Sequence, residues 1–294
     1  MSLISLELSI SGSEDSHDQL LFAFLRGYRF KKLIITTPGP RFLDFNQTLN
    51  QSLSSVETLT LCSEGLQLPA RLLSSPPPFS ALKCLEISIG ENEYILSAFP
   101  WHQLDKLVLD KVQSTQLTAD ILQRCQSLVN CTIHIHQQGR TKFHVELPNL
   151  KWLRIANHAG VPLAATIAND MHAPLLQSLH LDLSSSTFEE VKALAESLGN
   201  LHGLYELQVN RFVEPVDLQR ILVFLPSLCV VDVQNVSVGN EMSRHLKYGL
   251  IGSRLVKMHL GLGGIELRPD EVLDMIEARQ MVTKEDCSKV VPFN

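Results

Sequence analysis

Leu104-Asp105-Lys106-Leu107-Val108-Leu109 is the stretch from which the fold is read. Its first, fourth and sixth residues are leucine, so Leu107 and Leu109 point to one side of a short strand while Lys106 and Val108 point to the other. Working outward, the same phrase or a close variant stands at Leu3/Leu6/Leu8, Phe30/Leu33/Ile35, Val56/Leu59/Leu61 and Leu82/Leu85/Ile87 on one side. On the other side it stands at Leu128/Cys131/Ile133, Leu150/Leu153/Ile155, Leu176/Leu179/Leu181, Leu204/Leu207/Val209, Leu228/Val231/Val233 and Leu255/Met258/Leu260. All 33 positions are apolar in a chain that is 45% hydrophobic, and successive middle residues are 22 to 28 positions apart.

A period of this length is that of leucine-rich repeats. It predicts an α/β fold, a right-handed βα horseshoe solenoid of about 11 irregular repeats, with parallel strands on the concave face and helices on the convex face. Because a solenoid grows by adding rungs, 294 residues need only one domain, expected over residues 1–281, followed by a flexible tail over 282–294. Helical periodicity between strands predicts helices at Asp18–Tyr28, Phe42–Leu53, Thr118–Cys125, Leu163–Met171, Asp217–Phe224, Glu241–Tyr248 and Asp270–Met281. A further helix follows the capping box Thr187-Phe188-Glu189-Glu190. Pro100, Pro148, Pro174 and Pro226 stand just before strands, where proline ends a helix and favours extended backbone.

The net charge of −6 and the absence of a Lys/Arg run speak against nucleic acid or an anionic membrane as partner. No apolar stretch approaches the ~20 residues that span a bilayer. The six cysteines show no CxxC pair or paired spacing, so they are expected to be reduced thiols and the chain to be cytoplasmic or nuclear. No GxxxxGK[ST] or GxGxxG cradle is present, and no cofactor is expected.

Regular leucine-rich repeats continue the phrase with an Asn that forms a buried ladder. Here that place holds residues such as Pro38, Glu64, Val112, Phe212 and Val236, so no Asn ladder is expected. The irregular array, with Leu147-Pro148-Asn149-Leu150 and Leu225-Pro226-Ser227-Leu228 leading into strands, resembles the C-terminal repeat region of fungal F-box proteins, particularly those of mushroom-forming fungi. That resemblance implies a repeat region that holds the substrate of a ubiquitin ligase, joined to an N-terminal F-box that docks a Skp-type adaptor. The first phrase begins at Leu3, which leaves no room for an F-box, so the chain is expected to be a fragment, truncated product or shortened paralogue. A Skp-type adaptor is then a partner only if an upstream F-box exists.

Strand alternation also predicts the outward columns. From Trp152 onward they gather an aromatic residue and polar groups: Trp152, Arg154, His180, Asp182, Glu206, Gln208, Asn210, Asp232, Lys257 and His259. Aromatic and Arg anchors among polar groups suit a protein-binding patch, and these ten are the candidate partner-binding residues. Ser88, Asp110 and His134 share a column on adjacent rungs, but Asp lies between the other two, which is the wrong order for a hydrolase triad. His134, His136 and His158 offer at most a two-His arrangement without a third ligand, so no metal is expected. The expectation is a non-enzymatic recognition module. The alternatives are a regulator of a small GTPase or other enzyme, for which Arg140 and Arg211 are the candidate loop arginines, or a truncated copy with no independent role.

Overall fold

The computed structural model describes residues 2–9, 28–37, 53–63, 79–88, 95–112, 114–136, 144–157, 171–182, 201, 203–210, 215–238, 240–265 and 277. The eleven phrases fall on eleven strands: β1 Ser2–Ser9, β2 Arg29–Thr37, β3 Thr58–Ser63, β4 Cys84–Ser88, β5 Lys106–Val112, β6 Asn130–Ile135, β8 Trp152–Asn157, β10 Ser178–Asp182, β11 Glu206–Val209, β12 Val230–Val238 and β13 Lys257–Ile265. Two short strands, β7 Val145–Glu146 and β9 Met171–His172, form a separate parallel pair. Two compact units result. The first comprises Met1–Trp152 with Asp170–Pro174, and the second Leu153–Asn169 with Leu175–Asn294.

Within each unit the strands follow chain order and run parallel, so every middle residue of a phrase meets its equivalent in the next rung. In the first unit Leu6 faces Leu33, then Leu59, Leu85, Leu107 and Cys131. In the second, Leu179 faces Leu207, then Val231 and Met258. From Phe30 to Leu255 no phrase residue is more than 4% exposed, while Leu6, Leu8 and Met258 are half-buried. Burying a leucine fully contributes roughly 1.5–3 kcal/mol, so these stacked apolar side chains carry most of the stability. The architecture is α/β, that of a leucine-rich-repeat solenoid.

Two hydrogen-bond ladders replace the missing Asn ladder, and both lie at the strand entrance. In one, a single carbonyl accepts the two N–H groups that open the next strand. Lys83 O receives Asp105 and Lys106 at 2.8 and 3.1 Å, Asp105 O receives Val129 and Asn130, and Tyr205 O receives Cys229 and Val230. The other begins with a turn before each phrase, closed for instance by Leu104 N–H to Trp101 O at 3.2 Å and by Leu228 N–H to Leu225 O at 3.1 Å. Polar side chains of these turns reach back one rung. Ser55 Oγ donates to Phe30 O, Asn149 Nδ2 to Gln126 O, and Gln103 Nε2 to Leu82 O at 2.8 Å. The turn also opens on a fourth apolar residue that the phrase does not contain. Leu53, Phe79, Trp101, Cys125, Leu147, Leu201 and Leu225 occupy it, each at most 7% exposed.

Four described helices cover the connections: α1 Ile95–Ala98, α2 Thr115–Arg124, α3 Pro215–Phe224 and α4 Asn240–Lys247. The helix expected from Thr118 starts at Thr115 because Ser114 caps it, its hydroxyl accepting from Leu117 N–H at 3.3 Å. Leu117, Ile121 and Leu122 form its buried stripe. The helices expected at Asp217–Phe224 and Glu241–Tyr248 are α3 and α4, the former opened by Pro215 in the first-turn position that tolerates it. Gly249, at φ +66°, ends α4: its own N–H bonds Leu246 O and the next N–H, of Leu250, bonds His245 O. Met171, expected to close a helix, opens β9 instead. The remaining helix expectations lie outside the described residues, apart from single terminal or interior positions.

Candidate functional site

Nine of the ten candidate residues belong to the second unit. Across β10 to β13 the first outward column is Ser178, Glu206, Val230 and Lys257, and the middle column is His180, Gln208, Asp232 and His259, as counted from the phrase. Column neighbours are about 4.8 Å apart at the backbone, close enough for side chains to bond across rungs. Arg154, Asn210, Lys257 and His259 are exposed, and His180, Asp182, Glu206, Gln208 and Asp232 are half-buried.

Ser178, which sequence reading passed over, ties this face together. Its hydroxyl donates to Glu206 Oε2 at 2.8 Å and lies 3.1 Å from His180 Nε2, which is itself 3.7 Å from Glu206 Oε1. A serine hydroxyl has one proton to donate; with that proton directed at the carboxylate, Ser178 accepts from His180 Nε2–H. The arrangement is the reverse of an activated nucleophile, whose proton must go to the imidazole. Ser178 is also only 8% exposed. Serine here is a brace that fixes the glutamate and histidine, and the adjacency of Ser178 to Glu206 in the column count is the signal that could have identified it. One column away, Asp232 Oδ1 lies 3.2 Å from His259 Nδ1, outside hydrogen-bonding geometry. Asp182 Oδ1 accepts no hydrogen bond either.

Trp152 ends the first of the two segments that make up the first unit. It is half-buried, and its backbone N–H bonds Val129 O at 3.1 Å. The Ser88, Asp110 and His134 column of the first unit has Asp110 at its centre. Ser88 Oγ donates to Asp110 Oδ2 at 3.3 Å, and His134 Nδ1 lies 2.9 Å from Asp110 Oδ1. The serine hydroxyl again donates to a carboxylate and not to the imidazole, which argues against nucleophilic chemistry. Asp110 pairs in regular register with Ser88 but stands in a bulge toward β6: Leu109 faces Ile133 and the next pairing is Val112 with Ile135, so two residues of β5 oppose one of β6. Lys111, inside the bulge, has φ +52°. Next in the column, burial, reinforced by Glu86 and Asp110 and opposed by Lys111, raises the Cys62 thiol, which disfavours its nucleophilic thiolate form.

Among the described residues no three His, Cys, Asp or Glu side chains gather as a metal site would need. Among those residues, too, no helix is long and apolar enough to cross a membrane. Arg140, Arg211 and His158 lie outside the described residues.

No protein-family model and no curated protein matches the chain. Among solved structures, one that resembles it is titled "Structure of the Toll - Spatzle complex, a molecular hub in Drosophila development and innate immunity", at 13% identity and a TM-score of 0.34. The match covers 84% of this chain and 45% of that one, so the chain spans under half the length of the Drosophila structure's chain.

Proposed function

We propose that the chain is a non-enzymatic protein-recognition module whose second unit presents the outward columns of β10 to β13 to another protein. The observation that carries this is the bracing of Glu206 by Ser178, with His180 held against the same hydroxyl. Polar groups already ordered across rungs lose little conformational entropy when a partner binds, which favours affinity. In both described Ser/His/acid clusters the serine hydroxyl donates to the acid, which supports binding over catalysis. The partner, on the resemblance of the repeats to those of fungal F-box proteins, is a protein held for ubiquitin transfer. Arg154, His180, Asp182, Glu206, Gln208, Asn210, Asp232, Lys257 and His259 form the contact face, and Trp152 extends the same role in the first unit.

A photo-crosslinking amino acid at Gln208, compared with one at the exposed Arg124 of α2, tests the face. Adducts are expected at position 208 and not at 124. Arg154→Ala with Lys257→Ala should weaken capture of the crosslinked protein by ~1–3 kcal/mol in total. When the chain is fused behind an F-box and supplied with adaptor and cullin ligase, that same protein should become ubiquitylated. Equal adducts at both positions would reject the face, and capture without ubiquitin transfer would reject the ligase role alone.

A further inference from the structure

Among the described residues, nine large apolar side chains remain in solvent, and eight of them lie in the second unit, so the exposure is not spread evenly over the protein. Three positions immediately before strands form a contiguous line there. Cys229 N–H bonds Tyr205 O at 2.9 Å and Val256 N–H bonds Cys229 O at 2.8 Å, with Tyr205 51% and Val256 71% exposed. Tyr248 and Leu250, similarly exposed, follow α4 in the connection that leads to Val256. Among the equivalent positions of the first unit, Lys31, Glu57, Lys83 and Asp105 alternate in sign, Lys31 Nζ lying 3.3 Å from Glu57 Oε1, with apolar Ile4 before them and Val129 and Lys151 after them. The four charged positions neutralise one another, whereas Tyr205, Cys229 and Val256, which follow Gln177 in the second unit's line, carry no charge to be neutralised.

Charge gives the second unit's line a polarity. No Asp or Glu occurs between Glu241 and Glu266, while Arg244, Lys247, Arg254 and Lys257 do, in a chain whose net charge is −6. Arg254 is exposed and stands two residues before Val256, at the end of the apolar line, and its charge opposes the rise that burial gives the Cys229 thiol. Of the carboxylates on the adjoining strands, Glu206 accepts from Ser178 and Asp232 lies 3.2 Å from His259 Nδ1.

We propose that this strand-entrance edge of the second unit, Tyr205, Cys229 and Val256 with Arg254, docks an acidic amphipathic segment of a partner protein. The apolar line receives the partner's apolar side chains and the surrounding cations its carboxylates, a division that favours correct partners through charge complementarity. Three rungs span about 10 Å, the width of one helix or extended strand rather than of a membrane plane. The overall negative charge also opposes an anionic bilayer. Tyr205, Cys229, Val256 and Arg254 all lie outside the outward columns, and Lys257 alone is counted in both surfaces, so variants at 254 and 256 test this one by itself.

The full chain is titrated by fluorescence anisotropy with a labelled short peptide that alternates Glu with Leu and Phe, with its Lys-for-Glu counterpart as control. Flotation with phosphatidylserine–phosphatidylcholine vesicles forms the third arm. The acidic peptide is expected to bind and the basic one not. Arg254→Glu, and separately Val256→Ser, should weaken binding about tenfold, equivalent to ~1.4 kcal/mol. Both side chains are exposed, and an unchanged circular dichroism spectrum verifies folding. Failure of the acidic peptide to bind, equal binding of both peptides, indifference to Arg254→Glu, or binding to vesicles in place of peptide would overturn the proposal.

Discussion

Gln103 offers the sharpest test of how the rungs are joined. Its Nε2 lies 2.8 Å from Leu82 O, 3.1 Å from Ser80 O and 3.2 Å from Phe79 O, all in the turn one rung earlier. Three carbonyl partners require the amide nitrogen rather than the oxygen at this end, and that nitrogen has two hydrogens, so at most two full bonds exist at once. At ~0.5–1.5 kcal/mol net per bond, Gln103→Ala should cost about 1–3 kcal/mol. Gln103→Glu should cost more, because it sets a carboxylate against three carbonyl oxygens. Urea unfolding followed by the fluorescence of buried Trp101, two residues away, reports the loss where it occurs. A midpoint for Gln103→Ala that matches the wild type, or a Glu variant no worse than the Ala variant, would refute the idea that side chains at the strand entrance replace the Asn ladder.

Two further expectations concern backbone and thiols. Gly252, at φ +53°, has no room for a side chain, since a Cβ there would overlap Leu255 with Cγ at 3.0 Å, whereas Gly249 at φ +66° faces open space. Gly249→Ala should therefore cost ~1–2 kcal/mol for the backbone alone, and Gly252→Ala that plus ~1–3 kcal/mol of overpacking, both read from thermal or urea unfolding. Equal costs would show that packing around Leu255 yields freely. Burial pushes the Cys125 thiol from near 9 up to about 12, so the folded state keeps a proton that the unfolded state loses in this range. Stability should then be fully present below pH 9 and lost progressively toward pH 12, more in the wild type than in Cys125→Ala. Identical alkaline profiles for the two proteins would contradict that burial.

The strands were legible because the phrase states the same fact eleven times, and period-2 alternation has only one way to hide its leucines. Helix ends were less so. Thr115 begins α2 three residues before the expected start because the cap is Ser114 and the residue three beyond it is Leu117, so no acidic partner completes a capping box. β7 and β9 were invisible because two residues cannot display a period. The fourth apolar position was missed for a different reason. Leu53, Phe79, Trp101 and Cys125 share burial but not residue type, and at Gly252 the position has no side chain at all.

The site shows where sequence counting stops. Column membership follows from spacing alone, so the neighbours His180, Gln208, Asp232 and His259 were placed correctly. What a column does depends on where its protons go, and spacing does not fix that. Ser178 can donate to Glu206 or to His180 from the same backbone position, and the choice separates a brace from a nucleophile. The structure places the oxygen 2.8 Å from the carboxylate and 3.1 Å from the imidazole. A carboxylate acceptor makes the stronger, charge-assisted bond, so the proton goes to Glu206. The same preference acts at Ser88, where Asp110 stands between serine and histidine and takes both bonds. In parallel rungs, any acid one strand away from a serine competes with histidine for its proton. A catalytic serine on such a face would need histidine as its nearest lateral neighbour with the acid behind that histidine, and neither described cluster has that order.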